Sequence, residues 1–217
     1  MRGRRALGTF YKRAKWHATG PVRRLIEPRL IVRHWQRQGR PVPPPPQVKR
    51  NELRRYARDH RLRTVVETGT YLGEMTAAIA KHVDRVITIE LSPELAARAR
   101  ARFTNVANVT VLEGDSGKLL PSVLEELSEA ALFWLDGHYS EGVTARGDEE
   151  TPIRAELNAI LRHEVRSHTL LIDDAREFIG GAYPSLAEVE EMVCALAPDY
   201  VMEVRDDIIR ITPKRDR

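Results

Sequence analysis

The chain has 217 residues, 42% of them hydrophobic and 30% charged, with a formal net charge of +4. That composition is ordinary for a soluble chain of one domain plus an appendage. No apolar run approaches the roughly 20 residues needed to span a bilayer. The basic start Met1-Arg2-Gly3-Arg4-Arg5 is not followed by an apolar stretch of about 7–15 residues, so no secretory signal is expected.

The charge is unevenly spread. Residues 1–46 hold 12 Lys/Arg against the single acid Glu27, a net of +11, so with +4 over the whole chain residues 47–217 carry −7. Val22, Ile26 and Leu30 recur in this arm at helical spacing, and Trp35 extends the stripe. Pro28 interrupts the pattern, so short helical pieces are expected. Pro41-Val42-Pro43-Pro44-Pro45-Pro46 reads as a stiff polyproline spacer and sets the boundary between an arm, 1–48, and a main domain, 49–217. The arm reads as a solvated tail, a segment packed on a partner subunit in a homodimer, or a patch docking on an anionic membrane or polyanion. It has no aromatic-rich recognition motif for nucleic acid, which is therefore not the expected partner.

Beyond the spacer, strands and helices alternate. Helix is expected over 49–60, strand over 63–68, helix over 73–82 and strand over 85–90. Ser92-Pro93-Glu94 opens a helix to about Phe103, with Ser92 as cap and Pro93 at its first position. Strand follows over 108–112, helix over 117–127 despite Pro121, and strand over 130–135. A polar loop spans 137–151. Helix 152–163, strand 169–173 and helix 185–196 lead to a hairpin of 200–204 and 208–212 around Asp206-Asp207. The lone Cys194 can form no intrachain disulfide, which suits a reducing cytoplasm. Its helical surroundings mark it as a small core residue. Alternation of this kind builds a doubly wound, mostly parallel α/β sheet, and the terminal hairpin adds an antiparallel strand.

Three apolar strands end in carboxylates: Val65-Val66-Glu67, Leu132-Phe133-Trp134-Leu135-Asp136 and Leu170-Leu171-Ile172-Asp173-Asp174. Ligands of open parallel sheets bind beyond the carboxyl ends of the strands, so these acids are expected to converge on one cleft. Glu67-Thr68-Gly69-Thr70-Tyr71-Leu72-Gly73 supplies a glycine turn at a helix N-terminus. Tyr71 stands where a dinucleotide motif has its middle glycine, which suits a methionine-type carboxylate and ammonium better than a pyrophosphate. Glu90, 23 residues after Glu67 and followed by Leu91, is placed to take both ribose hydroxyls of NAD or of S-adenosylmethionine. Asp115 is placed to accept an adenine amino group, with Ser116 beside it, or to cap a helix. Asp136, Asp173 and Asp174 offer hard oxygen ligands for magnesium or a similar divalent cation. His138 is a candidate base for a hydroxyl proton. Arg146, Asp148 and Glu149 are placed for substrate contact in the long loop.

Taken together, residues 63–212 resemble the class I S-adenosylmethionine-dependent methyltransferases. The glycine loop with its central Tyr71 is similar to that of catechol O-methyltransferases. Asp136 and the Asp173-Asp174 pair match the metal positions of that group. The second Asp of the pair and His138, two residues past Asp136, look more like the macrocin O-methyltransferase family, which methylates sugar and natural-product hydroxyls. The catechol enzymes use Lys where this chain has Tyr139. The resemblance implies a cytoplasmic, metal-assisted O-methyltransferase. Glu67, Gly69, Thr70, Tyr71, Gly73, Glu90, Leu91, Asp115, Ser116 and Asp136 would hold the cofactor, Asp136, Asp173 and Asp174 the ion, and His138 would act as base on a small-molecule or glycan hydroxyl. The alternatives are an RNA methyltransferase docked by the arm and a non-catalytic module that binds the cofactor.

Overall fold

The structure is a computed structural model and describes residues 21–137 and 151–214. The chain divides into two compact units, Met1–Lys49 and Arg50–Arg217. The first contains α1, Pro21–Arg37, and the start of α2, Pro46–Asp59. The expectation of short pieces around Pro28 was wrong, because α1 runs through it as one helix. Proline removes a single N–H from the ladder, and the bonds on either side carry the helix past it. Gly39 ends the helix at φ 82°, and Arg40 N–H then bonds back to the Trp35 carbonyl at 3.1 Å. The Trp35 indole N–H donates to the Pro41 carbonyl at 2.8 Å.

The second unit is built on one seven-stranded sheet in the order β3-β2-β1-β4-β5-β7-β6. The strands are β1 Thr64–Thr68, β2 Arg85–Glu90, β3 Val109–Glu113, β4 Ala131–Leu135, β5 Thr169–Ile172, β6 Tyr200–Arg205 and β7 Ile208–Pro213. The helices are α3 Glu74–Ile79, α4 Pro93–Phe103, α5 Ser116–Glu125, α6 Ile153–Arg162 and α7 Leu186–Leu196. Strands β1 to β5 run parallel, and β7 runs antiparallel between β5 and β6. The doubly wound sheet and its C-terminal hairpin are thus present as expected. β4 and β5 are buried along their whole length, whereas the edge strands β3 and β6 alternate or face outward. Central parallel strands are covered on both faces and so need no polar side.

Successive residues of the central strands serve opposite faces. Val66, Ile87, Phe133, Leu135, Leu170 and Ile172 pack with residues of α5, α6 and α7. Val65, Val86, Leu132, Trp134 and Leu171 pack with Leu53, Tyr56 and Ala57 of α2. Arg210 is only 1% exposed on that second face. Its guanidinium donates to Glu52 of α2 at 2.8 Å, which ties the hairpin to the helix. Cys194 is exposed rather than a core residue. α7 buries Val189 and Val193, and the next position lies about 100° further round the helix, past its buried stripe.

Helix ends follow their local chemistry. The Ser92 hydroxyl accepts from Leu95 N–H with Pro93 at the first position of α4, and Ser185 with Glu188 forms a reciprocal capping box on α7. α3 stops at Ile79, earlier than the expected end near His82, where a turn closes from His82 N–H to the Ile79 carbonyl. Among the described residues, no helix is long and apolar enough to cross a membrane.

Candidate active site

The strand order reverses between β1 and β4, and the ends of these strands lie in register, with Thr68 opposite Leu135 and Ile89. Backbone bonds carry the alignment one residue further. Gly69 N–H bonds to the Ile89 carbonyl, Asp136 N–H to Thr68 and Asp173 N–H to Leu135, each at 3.0 Å. The first residues past three strands are therefore held side by side at the switch point, where such sheets bind ligands.

Gly69 is required by this closeness. Its φ is 83°, and a Cβ there would lie 2.7 Å from the Asp136 carbonyl carbon. Tyr71 also takes a left-handed conformation, φ 48°, with its side chain 48% exposed. The residue at the middle glycine place thus adopts a glycine-like backbone, which is uncommon for a bulky side chain and clusters at functional loops. Its N–H donates to Glu90 Oε2 at 2.7 Å, and Ser92 N–H donates to Glu90 Oε1 at 2.9 Å. Glu90 is 5% exposed and fixed through both oxygens, each with a lone pair left for a ligand. Leu91 beside it is half-buried.

Glu67 lies deeper than expected of a direct ligand contact. Its Oε2 accepts from the hydroxyls of Thr76 and, at 2.6 Å, Thr88, and Thr88 shares a 2.6 Å bond with Thr70. Burial pushes its carboxyl up to about 7 against those donors, and the Asp136 charge adds to the rise. Glu67 therefore braces the glycine loop from below. Asp115 caps α5, accepting from Gly117 N–H at 2.9 Å, with Lys118 at 3.7 Å from its other oxygen. The Ser116 hydroxyl turns inward and donates to Glu156 Oε1 at 2.6 Å.

Glu156 was missed in the sequence. It is 1% exposed on α6, and burial, with the charges of Asp115 and Asp136, raises its carboxyl to about 7 despite the Ser116 donor. A Cβ on Gly137 would meet its Oε1 at 3.3 Å and Thr68 Oγ1 at 3.2 Å, so Glu156 sits beneath the end of β4. The signal was available: Ile153, Leu157, Ile160 and Leu161 mark the buried stripe of that helix, and Glu156 falls on it. Tyr183 was also missed. Burial raises its phenol against a hydrogen bond with Thr151, and the charges of Glu177, Asp174 and Asp136 add to the rise.

Asp173 and Asp174 follow β5. Asp173 Oδ1 accepts from Asp174 N–H at 2.8 Å, and Asp174 is left-handed at φ 55°. Arg176 donates to Asp174 Oδ1 at 2.9 Å and also to Asp207 Oδ2. This guanidinium supplies the compensating cation that adjacent carboxylates call for. Among the described residues, no three His, Cys, Asp or Glu side chains are grouped as ligands for a metal ion. With Asp174 Oδ1 taken by Arg176, the described Asp136, Asp173 and Asp174 do not offer a ready-made set of three ligands to a divalent ion. His138, Arg146, Asp148 and Glu149 lie outside the described residues.

No protein-family model matches the chain. A 70-residue stretch, 32% of the chain, is 43% identical to the ribosomal RNA small subunit methyltransferase A of Acidobacterium capsulatum. Another of 78 residues is 40% identical to the ornithine lipid N-methyltransferase of Singulisphaera acidiphila. These matches span only 25% and 41% of the respective relatives' lengths. Similar solved structures cover nearly all of the chain. The S-adenosylhomocysteine-bound Podospora anserina methyltransferase PaMTH1 superposes with a TM-score of 0.59 at 19% identity, over 98% of this chain and 97% of that one. The Streptomyces achromogenes O-methyltransferase TomG, in complex with S-adenosylmethionine, gives 0.57 at 15% identity over 98% of each chain. The Bacillus cereus O-methyltransferase bound to S-adenosylhomocysteine gives 0.58 at 16% identity, over 86% and 90%. The chain has the fold of the class I S-adenosylmethionine-dependent methyltransferases.

Proposed function

We propose that the chain is an S-adenosylmethionine-dependent O-methyltransferase acting on a hydroxyl of a small molecule, sugar or glycan. The observation that carries this reading is the Glu90 carboxylate, anchored by the amides of Tyr71 and Ser92 beside a glycine loop that touches the backbone of Asp136. Cofactor and methyl acceptor would meet at the switch point, where sheets of this kind bind ligands. A cytoplasmic setting agrees with the lone cysteine.

S-adenosylmethionine would supply an electrophilic methyl group for in-line transfer to the acceptor oxygen, the methyl–sulfur bond breaking to release S-adenosylhomocysteine as the hydroxyl gives up its proton. Glu90 would accept from the two ribose hydroxyls. Asp115 keeps one oxygen on its helix cap, and the other would accept from the adenine amino group. Thr70, braced through Thr88 to Glu67, holds the loop that receives the methionine end. Asp136, at the switch point, would orient the acceptor hydroxyl or take its proton, the latter being the role expected of His138 from the sequence. Tyr183 borders the acceptor side. Positioning of this kind supplies most of the rate in a direct displacement. Arg176, paired with Asp174, supplies a fixed cation at this end of the cleft.

A second reading is an RNA methyltransferase, favoured by the sequence similarity to ribosomal RNA methyltransferases. The deciding experiment is calorimetric titration of S-adenosylhomocysteine into the wild-type chain and Glu90→Ala. Tight binding weakened at least about tenfold in the variant supports the cofactor pocket, since a charged-acceptor bond is worth roughly 1.5–3 kcal/mol. Absence of binding to the wild type sinks it. Methyl transfer to RNA but not to hydroxylated small molecules would select the second reading.

A further inference from the structure

The mechanism above uses nothing from the first unit, yet its charge is too one-sided to ignore. No acidic residue occurs between Glu27 and Glu52, while Arg29, Arg33, Arg37 and Arg40 fall in that interval. Arg29, Arg33 and Arg37 are exposed, and they follow one another every four residues along α1. Leu30 lies among them and is 43% exposed, and Val42, just beyond the helix, is 58% exposed. By spacing alone, Val22 and Ile26 fall on the same line of the helix as Leu30.

We propose that α1 lies on an anionic lipid bilayer, with Leu30 entering the headgroup boundary and Arg29, Arg33 and Arg37, in the row beside it, reaching lipid phosphates. The charge identifies the partner as polyanionic. The aliphatic residues identify it as one that also offers an apolar phase. A bare polyanion gives Leu30 and Val42 nothing to leave water for, whereas a bilayer removes them from water while arginine stems lie along its surface. A single-stranded nucleic acid would instead call for aromatic stacking platforms on this face, but Trp35 is buried with its N–H spent on Pro41. At 17 residues, with five arginines, α1 is too short and too charged to span a membrane, but it has the composition of a helix that rests in the interface. With one modest apolar line the attachment is reversible and salt-sensitive.

The test is co-sedimentation of the full chain with vesicles of phosphatidylcholine alone and of phosphatidylcholine mixed with phosphatidylglycerol. The full chain should bind the anionic vesicles only, less so as salt is raised. The triple variant Arg29→Glu, Arg33→Glu, Arg37→Glu should bind them more than about tenfold less tightly. Leu30→Gln, which leaves the charge untouched, should also weaken binding. S-adenosylhomocysteine affinity serves as the control and should be the same in all variants, since the residues that would hold the cofactor all belong to the second unit. No binding to anionic vesicles, or equal binding to both kinds, overturns the proposal. So does a triple variant that binds as the wild type does. Weakening by charge reversal with Leu30→Gln unaffected would also overturn it, in favour of a bare polyanion, which a gel shift with single-stranded RNA would register.

Discussion

Arg176 and Asp207 are joined twice: the guanidinium donates to Asp207 Oδ2 and the Arg176 backbone N–H to Oδ1 at 3.0 Å. Asp207 is at the tip of the β6–β7 hairpin, where Asp206 and Asp207 both have positive φ, as a two-residue type I′ turn requires. Its carbonyl also accepts from Ala175 N–H at 2.9 Å. The last hairpin therefore clamps the turn after β5, and the same guanidinium holds Asp174 at the cleft.

Arg176→Ala should release both ends of this clamp. The Asp207 side chain, 2% exposed, loses its guanidinium partner, and a loss of about 1–3 kcal/mol in urea unfolding is expected. The vacated acids should also gain affinity for magnesium, seen as a rise in melting temperature on adding the ion to the variant but not to the wild type. A matching rise in the wild type would mean that Arg176 is not the resident cation of this cleft.

Gly69→Ala tests the switch point itself. The new methyl group would collide with the Asp136 backbone, which cannot swing aside as a side chain can, and it would sit at a positive φ. Binding of S-adenosylhomocysteine should fall by at least about tenfold, because the loop must leave its seat at a cost of roughly 1–3 kcal/mol. Calorimetry on a variant shown to be folded by circular dichroism provides the measurement. Affinity equal to that of the wild type would mean that this close approach does not shape the pocket.

Glu67 and Glu156 give stability a downward slope with pH. Both carboxyls are raised to about 7 from an ordinary value of 4.5. Between these values the folded chain keeps protons that the unfolded chain has released, so stability is full below about 4.5 and is lost as pH rises through about 7. Glu156→Gln still accepts from Ser116 but does not titrate. Urea unfolding at pH 5 and pH 8 should show a smaller loss for this variant, with a gain at pH 8 of up to about 3 kcal/mol over the wild type. Equal slopes would show that Glu156 ionises normally.

His168 acts in the opposite direction. Its Nδ1 accepts from Ala131 N–H at 3.0 Å, so in the neutral ring the proton is on Nε2 and is donated to His163 Nδ1 at 2.8 Å. Burial, with the charges of His163 and Arg166, lowers its pKa to about 4 from 6.5. The unfolded chain therefore takes up a proton first, and this stability is present above about 6.5 and lost as pH falls towards 4. Nitrogen-15 NMR should find His168 with an unprotonated Nδ1 from pH 8 down to pH 5. A protonated Nδ1 in that range would contradict the assigned pair.

Much of the fold was legible because it is written in short-range patterns. Strand 85–90 has the expected ends, Ser92 and Pro93 open α4 as expected, and the terminal hairpin turns at Asp206-Asp207. Periodicity and capping depend on a few neighbouring residues and need no knowledge of the rest of the chain. The site was legible at the strand ends for the same reason. It was not legible at Glu156, Tyr183 or Arg176, whose roles come from partners 40 residues away or more in one case and across a turn or hairpin in the others.

By itself the sequence determined the alternation of strands and helices, the acids at the strand ends and the basic arm beyond a proline spacer. These are properties of local pattern and composition. Only the tertiary structure decided which acids touch, which are buried and which are already paired. It placed Glu67 beneath the loop rather than in it, turned Ser116 towards Glu156, and gave Asp174 a guanidinium. The physical reason is that the free energy of a carboxyl is set by what replaces water around it. Those replacements come from distant segments that meet only when the sheet is assembled.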